Sequence, residues 1–208
     1  MDRLFEKYAA LVLRADTAFG NVLRDHAGQV RCKAGCSDCC HAVFGLFPIE
    51  AAFLKERFAR LPRKERRAAL QRAVKSDRDL LKLQERMKAI PGASQTDVQS
   101  LATERLRCPL LNEDQACILY PHRPITCRVY GIPTLIQGQV RSCGKSGFEK
   151  GRSYPAFNLD AAYAELHRLS RDLLVQMGVR DLNKASLLYA VSRIITGPFR
   201  EMINGDPE

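Results

Sequence analysis

Four cysteines fall within nine residues in CKAGCSDCC, Cys32 to Cys40, and the last two are adjacent. Four more follow at wider intervals: Cys108, Cys117, Cys127 and Cys143. Thiolates are soft, anionic ligands that suit zinc, iron–sulfur clusters and copper(I) far better than magnesium or calcium. Eight cysteines also admit four disulfides, so the redox compartment decides between the readings. The N-terminus, MDRLFEKYAALVLRADTAFG, has charges inside its apolar run and no small-residue cleavage site, which argues against a secretory signal. No run approaches the ~20 consecutive apolar residues of a membrane span. The expected compartment is therefore the cytoplasm, which is reducing, and there the cysteine count reads as metal ligation. Cys39 and Cys40 argue the same way, because vicinal thiols bridge to each other only with strain.

The spacing narrows the metal chemistry without settling it. A structural zinc site needs four ligands at tetrahedral corners, usually from two short C-x2-4-C knuckles. Only the first loop has such spacings, Cys32-x3-Cys36-x2-Cys39, whereas the later gaps are eight, nine and fifteen residues. That is not a zinc ribbon, and a loop plus dispersed ligands suits an iron–sulfur cluster equally. Adjacent side chains diverge, so the first loop is expected to give three ligands to one centre. Cys40 then points to a second partner set or is not a ligand. One centre with spare thiols and two four-thiolate centres both remain open. Arg31, Lys33, Arg107, Arg128, Arg141 and Lys145 lie within two residues of a cysteine, where cations offset thiolate charge. A chain of net charge +10 also places basic residues near everything. His41 and His122 are expected as exposed or hydrogen-bonded side chains, since eight thiolates suffice.

Two partial motifs fail on context. Cys32-x3-Cys36-x2-Cys39 has the spacing of radical S-adenosylmethionine enzymes, but those place it after the first strand of a strand–helix barrel. Here a helical pattern precedes it and no such repeat follows. Gly144-Lys145-Ser146 hints at a phosphate loop, but the glycine it requires would fall at Gln139.

The elements that must position the cysteines are mainly helical. Residues 3–27 carry Leu4, Tyr8, Leu11, Val12, Ala15, Phe19 and Val22 at helical spacing, with Gly28 as a stop. Pro48 suits the first turn of a helix whose Leu54, Phe58 and Leu61 share a face. Residues 63–90 predict a long charged helix with a stripe of Leu70, Val74, Leu81, Leu83, Met87 and Ile90. GASQTDVQS reads as a linker, and TLIQGQVRS as a small β-hairpin turning at Gln137-Gly138. The run from Tyr120 to Cys127 has room for a turn or two of helix. Asn158 or Asp160 caps a helix bearing Leu159, Tyr163, Leu166, Leu169, Leu173 and Met177, closed by Gly178. A last helix holds Leu187, Leu188, Val191, Ile194 and Ile195 before Gly197-Pro198, and the tail MINGDPE is expected to fray. The expectation is a mainly α, single domain over 1–208. Its irregular cysteine-rich region, 32–143, lies between an N-terminal helix (3–27) and C-terminal helices (159–197).

Taken together, CKAGCSDCC, CPLLNEDQACILYPHRPITCRVYG and Cys143 resemble the CxxCxxCC, or YkgJ-type, cysteine-cluster family of zinc- or iron-chelating domains. Cys108-Pro109, Cys117-Ile118-Leu119-Tyr120, Arg123-Pro124 and Cys127-Arg128-Val129-Tyr130 each match that family's pattern. The resemblance implies metal chelation by Cys32, Cys36, Cys39, Cys40, Cys108, Cys117, Cys127 and Cys143, with zinc or an iron–sulfur cluster of 4Fe-4S type as cofactor. Arg123, Arg128 and Tyr130 sit in the most specific stretch. They read either as groups behind the ligands that tune the centre's charge, or as contacts that fix a proline-rich turn. The family includes flagellin N-methylase, which implies protein lysine methyl transfer from S-adenosylmethionine with an iron–sulfur cluster. Against that activity, the chain shows no glycine-rich strand–turn–helix for a nucleoside. Three classes thus stand: a metal centre of structural, redox or sensory use, a protein-modifying enzyme, and a metal-stabilised module binding a protein or nucleic acid. Nucleic acid is the weaker partner. The cations of residues 63–88 are interleaved with Glu65, Asp77, Asp79 and Glu85, and no aromatic residue lies among them.

Overall fold

The computed structural model describes residues 2–33, 35–88 and 104–204. The stretch read as a linker, GASQTDVQS, and Ile90 at the end of the charged stripe lie outside the described residues. Among the described residues, seven α-helices carry the fold: α1 (Asp2–Asp25), α2 (Pro48–Ala59), α3 (Arg63–Lys88), α4 (Ile125–Val129), α5 (Leu159–Gln176), α6 (Val191–Thr196) and α7 (Phe199–Asn204). Three short strands, β1 (Thr134–Ile136), β2 (Gln139–Arg141) and β3 (Phe157–Asn158), form a sheet in the order β2-β1-β3. The protein is mainly α with a small β element, as the periodicity predicts.

α1 buries Leu4, Phe5, Tyr8, Leu11, Ala15 and Val22, the stripe expected of an amphipathic helix. Its apolar face packs with Ile49 and Ala52 of α2, Ile125 and Val129 of α4, and Leu159, Leu166, Leu169 and Leu173 of α5. A second core lies on the other side of α2. There Ala51, Leu54 and Phe58 meet Ala69 and Ala73 of α3, Ile194 and Ile195 of α6, and Leu110 and Leu119 from the cysteine-rich segment. α2 is thus buried on two faces, so it reads as weakly amphipathic although it is central.

The hairpin forms as predicted, with Leu135 opposite Val140. Gln137 (φ 51°) and Gly138 (φ 71°) both take left-handed conformations, the two-residue geometry that matches the twist of the strands. Asp160 accepts from both turn amides, Gln137 N at 2.9 Å and Gly138 N at 3.2 Å. The cap of α5 falls to Asn158, whose side chain accepts from Ala161 N.

Several expectations are corrected. In α3 the buried residues are Ala69, Ala73 and Leu83, while Val74 and Leu81 are exposed. Two alanines one turn apart let α6 approach closely, and that contact outranks the larger side chains beside it in choosing the face. Leu187 and Leu188 lie outside the last helices, because Tyr189 instead pairs with Leu46 through two backbone hydrogen bonds of 2.9 Å. Of the tail MINGDPE, Met202 to Asn204 belong to α7, where Ile203 is fully buried, and residues 205–208 lie outside the described residues. The short strand β3 was not expected, because two residues carry no readable alternation.

A buried carboxyl joins α2 to the cysteine-rich segment. Glu50 accepts from Phe47 N at 3.3 Å and from Ile125 N, the first amide of α4, at 3.0 Å. Burial pushes its pKa up to about 7, against the opposing pull of these hydrogen bonds and of Tyr8. A folded pKa above the unfolded value means the neutral acid is favoured by the fold. Stability is then greatest below the ordinary carboxyl pKa and falls as pH rises through 7. The wild type should lose about 3 kcal/mol between pH 5 and pH 8 relative to Glu50→Gln. Denaturant melts of both proteins at the two pH values test this, and parallel pH dependence would refute the assignment.

Candidate metal centre

The first cysteine loop ends in a 3-10 turn, Asp38–His41, that turns Cys39 and Cys40 inward, each 9% exposed. Its backbone then pairs with the segment before Cys108: Leu106 N donates to His41 O at 2.9 Å and Cys108 N to Cys40 O at 2.7 Å. From Cys108 the chain doubles back, with Leu111 and Cys117 paired antiparallel and Ile118 N donating to Leu110 O at 3.0 Å. Asn112 closes the intervening loop by accepting from Ala116 N at 2.8 Å. Ser37 Oγ bonds Gln115 Oε1 at 3.1 Å and ties that loop to the first. Pro124, in extended conformation, sets the start of α4, and one turn later α4 delivers Cys127.

Five thiols, two of them buried and three half-buried, therefore meet around one space. Cys39, Cys40, Cys108, Cys117 and Cys127 line a cavity of about 80 Å³ whose other walls include Val43, Phe44, Leu54, Leu80, Leu119 and Arg123. Cys32, Cys36 and Cys143 lie outside that lining. Cys32 packs on Gly131, where an added Cβ would fall 2.4 Å from the Cys32 Cβ and 3.1 Å from its Sγ. Cys143 Sγ stands 3.5 Å from Asp38 Oδ2 and accepts from Lys145 N at 3.4 Å. All eight cysteines are free thiols.

The electrostatics of this set are unusual. Cys39 is held well below the usual thiol range by the neighbouring Cys127 and Cys40 thiols, which favour its charged form. Those two are pushed up, each first by its bond to Cys39 and then by burial. Burial raises Cys32 to about 11 and Cys108 to about 12, and it raises Cys117 and Cys143 as well. Each thiolate also opposes the ionisation of its neighbours. Arg123 is the cation whose charge favours the thiolate form, at Cys32, Cys39 and Cys117. A buried, crowded set of soft donors ionises fully only when a further positive charge enters among them, so the donor set fits a thiophilic metal. Among the described residues, no group of three or more His, Cys, Asp or Glu side chains is drawn together tightly enough to hold an ion. The thiols surround a shared space rather than a point.

Of the residues read as tuning the centre, Tyr130 donates to Asp38 Oδ2 at 3.1 Å. Arg123 lies over the Tyr120 ring, 3.7 Å from its centroid, and donates to Tyr120 O. Arg128 is buried. It bonds both carboxylate oxygens of Asp16 on α1, at 2.9 and 2.7 Å, and the Pro121 and Arg123 carbonyls. Arg128 thus clamps the proline-rich turn onto α1. Other nearby cations are also engaged: Arg107 bonds the Leu111 and Asn112 carbonyls, and Lys145 bonds Asp38. His41 Nδ1 lies 3.0 Å from Ser37 O, and His122 stands edge-on to Phe53.

Sequence reasoning missed Asp38. This buried carboxylate takes Arg105 at 2.5 Å and Lys145 at 3.0 Å, besides Tyr130 and Cys143. Burial pushes its pKa up, but Lys145, Tyr130 and Arg105 together hold it below the usual range. It fastens the Cys143 turn and the segment leading to Cys108 onto the first loop. The signal was an acidic residue flanked by cysteines, where another negative charge is costly unless paired.

A helical scaffold gathering buried and half-buried, unpaired thiols around a small shared space defines a metal-chelating domain. The chain belongs to the CxxCxxCC family, described as a "putative zinc- or iron-chelating domain", whose pattern matches residues 31–144, more than half of the protein. No curated protein and no solved structure matches it significantly.

Asp38→Asn should leave Arg105 and Lys145 without their shared anion. Both are partly exposed, so the expected loss is about 1–3 kcal/mol, read as a lower melting temperature with lower metal content. Gly131→Ala should displace Cys32 and reduce bound metal while circular dichroism stays helical. Unchanged metal content would refute the close approach.

Proposed function

We propose that this chain holds an iron–sulfur cluster through its cysteine thiolates, with a zinc–thiolate centre as the second reading. The carrying observation is five thiols around a largely apolar cavity of about 80 Å³. A zinc ion sits in direct contact with four sulfurs at ~2.3 Å and needs little interior room. A cluster brings its own iron and sulfide and suits dispersed ligands. When bound it supplies one-electron redox chemistry, at a potential set by charge, hydrogen bonds to sulfur and exposure. This chain's own contributions are the Arg123 charge, the Lys145 amide on Cys143, and apolar walls that limit water. Zinc remains second because the family description names both metals.

Methyl transfer from S-adenosylmethionine needs a nucleoside site. Among the described residues the only parallel strand pairing is β1 with the two-residue β3, so the metal reading stands ahead of the enzymatic one. The proposal places the protein in the reducing cytoplasm, where unpaired thiols persist. None of the described helices is long and apolar enough to cross a membrane.

Protein purified without oxygen should contain iron and acid-labile sulfide and show a broad brown absorption band. Zinc without sulfide or colour would favour the second reading. Cys36→Ser and Cys39→Ser should each lower metal content and melting temperature together, because metal binding contributes directly to folding. Wild-type values of both quantities in both variants would overturn the proposal.

A further inference from the structure

We propose that an open groove beside the Cys143 turn is a docking site for a segment of a partner protein that carries apolar side chains next to carboxylates. The groove encloses about 1660 Å³. Small-molecule pockets hold roughly 300–1,000 Å³, so this space suits a length of peptide better than a metabolite. Its lining joins Leu81 of α3, Phe44 and Phe47 ahead of α2, Tyr163 of α5, and Leu188. Two of these large apolar side chains are left open, Leu81 at 46% exposure and Leu188 at 55%. A lone exposed leucine needs no explanation, but two in one groove with Phe44 and Phe47 make the kind of apolar patch that marks an interaction site. Leu188 is also held in place. The next residue, Tyr189, exchanges two backbone hydrogen bonds of 2.9 Å with Leu46. The chain at Gly45 runs so close that an added Cβ would fall 2.5 Å from the Leu188 Cβ. An anchor fixed in advance loses little freedom on docking.

Charge selects the kind of segment. Five basic side chains line the groove, Lys88, Arg105, Arg141, Lys145 and Arg193, against two acidic ones, Asp38 and Glu201. Three of the five are already paired, Arg105 and Lys145 with Asp38 and Arg193 with Asp77. Lys88 and Arg141 have no acidic partner among the described residues. Two unpaired cations beside an apolar floor match one or two carboxylates flanking an apolar side chain. A nucleic-acid strand needs a longer track of free cations along its phosphates. A segment seated here lies beside the turn that carries Cys143, which lines the same groove.

The test pans a displayed library of random peptides against the full-length protein purified without oxygen. The enriched peptides should share leucine- or phenylalanine-type side chains beside aspartate or glutamate. A fluorescent copy of one should bind saturably, and more weakly as salt rises. Leu81→Ser, Leu188→Ser and Arg141→Glu should each weaken that binding about tenfold. Val74→Ser, at an exposed position of α3 outside the groove, should leave it unchanged. All four variants should keep wild-type circular dichroism and metal content, because none of these side chains is buried. Failure to enrich any sequence, or enrichment of basic ones, overturns the proposal. So does peptide binding that survives at full strength in both leucine variants. Tighter binding of single-stranded oligothymidylate than of the peptide would assign the groove to nucleic acid instead. A dimer in sedimentation that Leu188→Ser dissociates would assign it to a second copy of the chain, and either result overturns the peptide assignment.

Discussion

The site depends on one short piece of backbone pairing, that between the end of the first cysteine loop and the segment running into Cys108. Two backbone hydrogen bonds, Leu106 N to His41 O and Cys108 N to Cys40 O, join stretches more than sixty residues apart in the chain. Closing a loop of that length costs entropy that two hydrogen bonds do not repay, at a net ~1 kcal/mol each. The Asp38 cluster and the packing of Leu111 against Cys39 and Cys40 contribute more, and on the proposed reading metal ligation from both halves supplies the rest. As proposed ligands the thiols would be structural partners too, so that metal loss and loosening of this junction would be one event.

Charge explains why the junction is built around an acid. Thiolates in a buried space need positive charge close by, yet several cations near the cysteines are held elsewhere. Arg128 is bound to Asp16, Arg107 to carbonyls, and Arg105 and Lys145 to Asp38. Arg123 favours the charged form of several thiols. Asp38 keeps two cations at the edge of the site without letting them collapse onto sulfur. The positive charge that balances the interior sulfurs is then left mainly to the metal.

Where the sequence could be read, it was read through periodicity and special residues. The α1 stripe, Pro48 at the start of α2, Gln137-Gly138 in the hairpin and Asn158 at the head of α5 are local signals with local causes. The cysteines announced their chemistry by type and number. What could not be read was non-local. Ala69 and Ala73 were chosen for burial over Val74 and Leu81 by the approach of α6, and Tyr189 was drawn out of a helix by Leu46. The grouping of thiols into interior and rim, and the place of Asp38, depend on a pairing across the chain that no spacing records.

The charged helix α3 shows how a plain surface reading can hide a supporting role. Its cations look like a solvated face, and most of its residues are exposed or half-exposed. Yet Arg72 Nε donates to Pro109 O at 2.9 Å and Ser76 Oγ to Arg107 O at 3.2 Å, bracketing Cys108 on either side. Leu80, one turn further on, walls the cavity itself. The helix thus holds the Cys108 segment against the first loop from outside, while α2 carries the opposite side of the same core through Leu54 and Phe58. A weakly apolar helix suits this task, because its grip comes from two directed hydrogen bonds to backbone carbonyls. Those carbonyls belong to the residues flanking Cys108, so the position of that thiol is set by α3 as well as by its own loop.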